Sequence, residues 1–194
     1  MCEQFLNYWA KPLPKMEFTS LLARLNRNHT ITITTIALLS TLATLFQLAG
    51  GFIPGAGYLI SPLSTAPIVV ATLISLRSGA TAYALAIMLL VLIQPSELIV
   101  FPFTTGLLGL ALGFSIVHFK YRFQVVLFST VALWAGIALV LYVFRFRLLG
   151  PSVTETFHID TIMYIFLFCL LYSGIWTEII LRLLARLRMY IRGL

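Results

Sequence analysis

From Phe52 to Gly113 the chain is apolar enough for hydrocarbon, yet prolines and glycines interrupt it again and again. The stretch opens with a bend, Gly50-Gly51-Phe52-Ile53-Pro54-Gly55-Ala56-Gly57-Tyr58. It continues through two short apolar segments, Leu63 to Leu76 and Ala80 to Ile93, and closes with Phe101-Pro-Phe-Thr-Thr-Gly-Leu-Leu-Gly-Leu-Ala-Leu-Gly113. A bilayer core offers no water to an unpaired N–H or C=O, so irregular backbone survives there only against other protein or a water-filled cavity. The stretch is therefore expected to line something.

Composition decides what surrounds it. Sixty per cent of the 194 residues are hydrophobic and 10% are charged, against about a quarter charged in a typical soluble domain. Once the apolar runs are set aside, only residues 1–29 and short connections remain, which leaves no room for an aqueous domain. The reading is an all-α integral membrane protein with six transmembrane helices, in three segments. Residues 1–29 form an N-terminal segment, residues 30–184 a membrane domain and residues 185–194 a basic tail. In the first segment, Phe18, Leu21, Leu22 and Leu25 share a helical face, which predicts an interfacial amphipathic helix over Met16 to Leu25. Its polar lead is longer than that of a cleaved leader, so a retained anchor is expected.

The six spans are read as Thr30 to Ala49, Tyr58 to Leu76, Ala80 to Ile93, Leu98 to His118, Phe123 to Phe144 and Ile159 to Leu181. A helix needs about 20 residues to cross ~30 Å of hydrocarbon. Pro62 and Pro67 predict a regular helix in the second span only after Pro67, and Arg77-Ser78-Gly79 reads as a tight turn into the third. Gly109 and Gly113 in the fourth span are four apart, a spacing that lets helices approach closely, with plain packing as the simplest role.

Six spans put both termini on one side. Of the 13 lysines and arginines, eleven flank that side, and only Arg145 and Arg147 flank the other. Cytoplasmic loops carry the basic excess, so both termini are expected in the cytoplasm, on the inner side of a bacterial plasma membrane. The net charge of +7 then reports topology and not a nucleic-acid partner.

At the outer ends of the spans a few polar residues collect: Tyr58, Ser61, Ser64, Thr65, Glu97, Thr104, Thr105, Arg145, Arg147, Glu155, His158, Asp160 and Tyr164. With Phe52, Phe101, Phe103, Trp134 and Tyr142 as aromatic walls, they suggest a small-ligand pocket open to the outside. The residues put forward as substrate contacts are Phe52, Tyr58, Glu97, Thr104, Trp134, Tyr142, Arg145, His158, Asp160 and Tyr164. Each has a plainer alternative as a packing, interface-belt or headgroup residue. No zinc motif, nucleophile elbow or phosphate-cradling loop occurs, so neither an enzyme nor a cofactor or metal site is expected. Two cysteines on different segments do not make a metal site or a disulfide framework, and Cys169 reads as an inert buried thiol. Glu178, inside the last apolar run, is costly there, and pairing with Arg182 four residues on is its simplest explanation.

Three stretches together carry a resemblance: Gly51-Phe-Ile-Pro-Gly-Ala-Gly57, Pro67-Ile-Val-Val-Ala with Leu76-Arg-Ser-Gly79, and Thr105-Gly-Leu-Leu-Gly-Leu-Ala-Leu-Gly113. With the size and span count, they resemble the substrate-binding S-components of energy-coupling factor vitamin transporters. That resemblance implies high-affinity capture of a vitamin or similar small molecule on the outer side. It also implies docking on a membrane coupling subunit with two ATPases, which supply the energy, and toppling to release the cargo inward. A small-residue pair on the first span would contact the coupling subunit, a place open to Ala37 and Thr41 or to Ser40 and Thr44. Both pairs depart from the family's usual alanines. The first outer loop, Gly51 to Tyr58, would close over the ligand. The competing class is a structural protein of the cell envelope, like the MreD cell-shape proteins, with a partner-facing surface and no small-molecule ligand.

Overall fold

The computed structural model describes Trp9, Pro12 and residues 29–53, 55, 57–144 and 159–192; the side chains of Tyr58, Ile159, Asp160 and residues 187–192 are outside the description. The amphipathic helix expected over Met16 to Leu25 lies outside the described residues. The described chain is helical, apart from turns and one isolated bridge between Pro12 and Tyr121. Its elements are α1 (His29–Phe52), α2 (Gly57–Ile60), a 3-10 turn (Ser61–Ser64), α3 (Thr65–Ile74), α4 (Leu76–Ile93), α5 (Glu97–Phe103), α6 (Thr105–His118), α7 (Arg122–Tyr142) and α8 (Ile159–Arg192). Five stretches are long and apolar enough to cross a membrane: α1, α4, α5 with α6, α7, and Thr161–Arg186 of α8. Ser61–Ile74 is apolar but shorter.

Three boundaries differ from the sequence reading, each for a local reason. Helix α3 begins at Thr65, ahead of Pro67, because a proline in the first turn removes only an N–H that has no intrahelical partner anyway. The turn into α4 is Ser75 alone, and Arg77-Ser78-Gly79 forms the first helical turn. Ser75 is extended (φ −162°, ψ 154°), and its hydroxyl accepts the Ser78 N–H at 3.0 Å, an N-cap. The fourth span is two helices, interrupted at Thr104 (φ −122°, ψ −95°) two residues after Pro102. The last helix continues past Leu181 to Arg192, as its basic tail suggested.

The interior is built around α3 and α6. Both are buried along much of their length, and each packs on the other and on further neighbours. Their approach is close because α6 presents glycine: a Cβ at Gly109 would lie 2.7 Å from the Ile68 Cβ, and one at Gly113 would overlap Thr72. The Gly-x-x-x-Gly spacing thus serves helix packing here. One buried cluster joins α3, α6, α7 and α8 through Val69, Leu112, Leu133, Ile165 and Trp176, and a second joins α1, α3, α4 and α5 through Ala43, Ile68, Ala86 and Phe101. Cys169 is a free thiol in the first of these. The outward faces of α1, α4, α7 and α8 are lined with exposed leucine, isoleucine and phenylalanine, as lipid contact requires.

Gly113→Val is expected to destabilise the bundle by about 1–3 kcal/mol through overpacking against Thr72, read as a lower melting temperature in detergent. Gly174→Ala is the control, because the nearest atom to a Cβ there is 4.0 Å away and alanine favours the helix, so its melting temperature should hold or rise.

Candidate functional site

A single glutamine organises one end of the bundle. Gln47, in the last turns of α1, is fully buried at 0% exposure among apolar neighbours. A buried amide is costly unless its donors and acceptor are occupied. Its Oε1 accepts the Ser64 hydroxyl and the Thr105 hydroxyl, each at 2.9 Å. Its Nε2 donates to Glu97 Oε2 at 2.8 Å. Thr65 adds a further tie, donating to the Thr105 carbonyl at 3.2 Å. One side chain thus links α1, the 3-10 turn before α3, the start of α5 and the start of α6.

The same end holds the broken backbone. At the α5–α6 break the Pro102 carbonyl accepts the Tyr83 hydroxyl of α4 at 2.9 Å, and the Thr104 hydroxyl donates to the Val100 carbonyl at 2.6 Å. The Phe103 carbonyl comes so close to Gly136 of α7 that a Cβ there would collide with it. Beyond α1 the bend contains Gly55 at φ 80°, a left-handed conformation that glycine adopts at little cost.

Two acceptors at this end have capacity to spare. Glu97 is half-buried; Gln47 holds one of its oxygens, and among the described residues the other accepts no hydrogen bond. The second oxygen lies 3.9 Å from the position of a Cβ on Gly50. The Gln94 amide occupies the space where a side chain on Gly51 would go, and its buried Oε1 has no hydrogen-bond partner among the described residues. Gly50 and Gly51, Gln94 and Glu97 therefore form a small patch with unused acceptors and no side-chain bulk on one wall. Such a patch suits a group that donates hydrogen bonds.

The residues put forward from the sequence are distributed as follows. Glu97 belongs to the network, and Thr104 forms the helix break at 8% exposure. Phe52 is 65% exposed at the end of α1, and Tyr164 is 74% exposed on α8. Tyr58 starts α2 with its side chain outside the description. Arg145 and His158 lie outside the described residues, as does the Asp160 side chain. Trp134 and Tyr142 are half-buried and pack on the interior cluster. The five aromatics read as one wall face different neighbours: Phe101 stacks on Tyr83, Phe103 tilts on Phe144, and Trp134 meets Phe166 edge-on at 6.4 Å. On α1, Ser40 and Thr44 are each 2% exposed and face the interior, whereas Ala37 and Thr41 face outward.

Gln47 was absent from the sequence-derived site, although a signal existed: it is an uncharged but strongly polar residue within an otherwise apolar span, and such residues are rarely idle. At the opposite end of the bundle, Glu178 pairs with Arg122 of α7 at 3.0 Å, which corrects the pairing with Arg182 that helical spacing suggested. The tie across two helices wins because α7 and α8 pack side by side here. Among the described residues no group of three or more His, Cys, Asp or Glu could hold a metal ion.

No protein-family model matches the chain, and no protein of curated function and no solved structure matches it either.

Gln47→Leu strands the Ser64 and Thr105 hydroxyls and the Glu97 carboxyl group, and is expected to cost about 2–3 kcal/mol in thermal unfolding. Adding Thr105→Val to that variant removes one stranded hydroxyl, so the double variant should melt above the single one.

Proposed function

We propose that this chain is a membrane-embedded binding subunit that takes up a small organic molecule, of the kind the energy-coupling factor S-components represent. The observation that carries the reading is the Gln47–Glu97 pair beside the broken backbone, at the end of the bundle remote from most of the basic residues. A polar network buried among apolar helices is expensive to build, and here it holds one carboxyl oxygen in place while leaving the second to a ligand. Gln94 supplies a second acceptor alongside it.

In this reading the chain crosses a bacterial plasma membrane six times, with Ser61–Ile74 and the short helix before it as the second crossing. From Gly57 to Ile74 the rise is about 29 Å, from ~1.5 Å per α-helical and ~2.0 Å per 3-10 residue. The termini lie in the cytoplasm and the Gln47 end faces outside. The bound molecule carries N–H or O–H donors toward Glu97 and Gln94. The glycine bend after α1 folds over it, as a loop closing on a ligand does. Power comes from a separate coupling subunit with ATPases. Because Ser40 and Thr44 are buried, the outward pair Ala37 and Thr41 is the docking choice on α1.

Native mass spectrometry of the purified chain tests this. A single retained small molecule and co-purified ATPase and coupling subunits are expected. Glu97→Gln keeps an oxygen for the Gln47 amide but turns the spare acceptor into a donor, so retention should fall by about tenfold or more, as loss of a matched polar contact does. An empty protein that brings down cell-envelope proteins instead would favour the scaffold class.

Orientation has its own check. A cysteine at exposed Ser96 should react with an impermeant maleimide on intact cells, and one at exposed Lys120 should not. The reverse pattern would invert the topology.

A further inference from the structure

At the basic end of the bundle, away from the Gln47 network, α7 and α8 border an open groove of about 710 Å³. Its walls are Val126 and Leu127 of α7 and Leu170, Leu171 and Ile175 of α8, with Trp9 of the N-terminal segment as a further wall. Gly174 forms its floor: a Cβ there would meet only the edge of the Trp9 ring, 4.0 Å away.

The lining changes character along its length. Leu127, Leu171 and Ile175 are 49%, 61% and 60% exposed, on the faces that meet lipid. Toward the basic end the wall becomes Glu178 and Arg182. Glu178 is matched by Arg122 at 3.0 Å, with both side chains largely covered. Arg182 is exposed and makes no ion pair among the described residues. Among the described residues the end of the groove therefore carries a cation without an ion-pair partner, with exposed Arg186 one helical turn beyond. From Leu170 to Arg182 the helix rises about 18 Å, roughly the depth of one leaflet of a ~30 Å hydrocarbon core.

An apolar trough one leaflet deep, open to the hydrocarbon and capped by an arginine that makes no ion pair among the described residues, has the chemistry of one class of molecule. The geometry points to a bound anionic phospholipid, with an acyl chain along Leu127, Leu171 and Ile175 over Gly174 and its phosphate on Arg182. A zwitterionic lipid fits the trough equally but brings an ammonium that Arg182 repels. The Arg122–Glu178 pair closes the polar end without competing for the phosphate, because its charges already offset each other. This site is independent of the ligand reading at the Gln47 end.

The test is native mass spectrometry of the full chain after delipidation. It is titrated with phosphatidylglycerol and, separately, with phosphatidylcholine of the same acyl chains. Wild type is expected to retain one phosphatidylglycerol, about fivefold more readily than phosphatidylcholine, given ~1 kcal/mol per basic residue at an anionic headgroup. Gly174→Leu fills the floor and should abolish retention of both lipids. Arg182→Gln, at an exposed position, should keep phosphatidylcholine at the wild-type level and erase the preference for phosphatidylglycerol. Unchanged melting temperatures in both variants show that the bundle is intact. Equal retention of the two lipids by wild type, or a phosphatidylglycerol adduct that survives Gly174→Leu, overturns the proposal. So does a second copy of the chain occupying the groove, seen as a dimer that Gly174→Leu disperses.

Discussion

Every interruption in this bundle answers to one constraint: an apolar surround gives backbone N–H and C=O groups nothing to bond to, so a helix that breaks must find its partners in neighbouring protein. The chain meets this with side chains placed at the breaks. Tyr83 donates to the carbonyl of Pro102, Ser75 caps the start of α4 through the Ser78 N–H, and Thr65 reaches the Thr105 carbonyl. The prolines and glycines that make the middle of the sequence irregular are tolerable only because these hydroxyls stand next to them. Close approach does the rest. The glycines of α6 let α3 come near enough to cover the irregular stretch.

The Gln47 network follows from the same constraint one level up. Hydrogen bonds buried in a low-dielectric interior are strong when satisfied and costly when not, so a glutamine bonded to three elements acts as a fixed pin at the end where the backbone is least regular. Fixing Glu97 this way leaves its other oxygen oriented and without a hydrogen bond among the described residues, which is the arrangement a binding site needs. The opposite end is held differently, by the Arg122–Glu178 pair between α7 and α8. The two ends are thus distinct in chemistry: uncharged donors and spare acceptors at one, an offset ion pair with excess cations at the other. That asymmetry is why two separate ligand readings, one for each end, stand on different residues.

Much of this was legible in the residues and some was not. The apolar runs and their basic flanks announced helices built for a membrane, and the prolines and glycines between Phe52 and Gly113 announced irregular backbone among them. The place of the break was not legible, because Pro102 is compatible with several geometries and the room for the Phe103 carbonyl comes from Gly136 on another helix, α7. Glu178 drew notice because a charge in an apolar run is costly, but spacing along one helix suggested Arg182, and only packing brought Arg122 within reach. The role of Gln47 is not written in its own segment, because its partners come from residues 17 to 58 positions away.

The sequence by itself determined that the chain is helical and lipid-facing, since 60% hydrophobic residues in runs of span length have no stable alternative in water or in hydrocarbon. It also determined where helices must weaken, because proline lacks an N–H and glycine lacks a side chain wherever they fall. Only the tertiary structure decided which small residues on α1 turn inward, Ser40 and Thr44, and which turn outward, Ala37 and Thr41. It alone decided which polar groups meet. The physical reason is that helical periodicity fixes a residue's angle about its own axis, whereas a hydrogen bond between helices depends on the rotation and depth of both, set by packing that no single segment encodes.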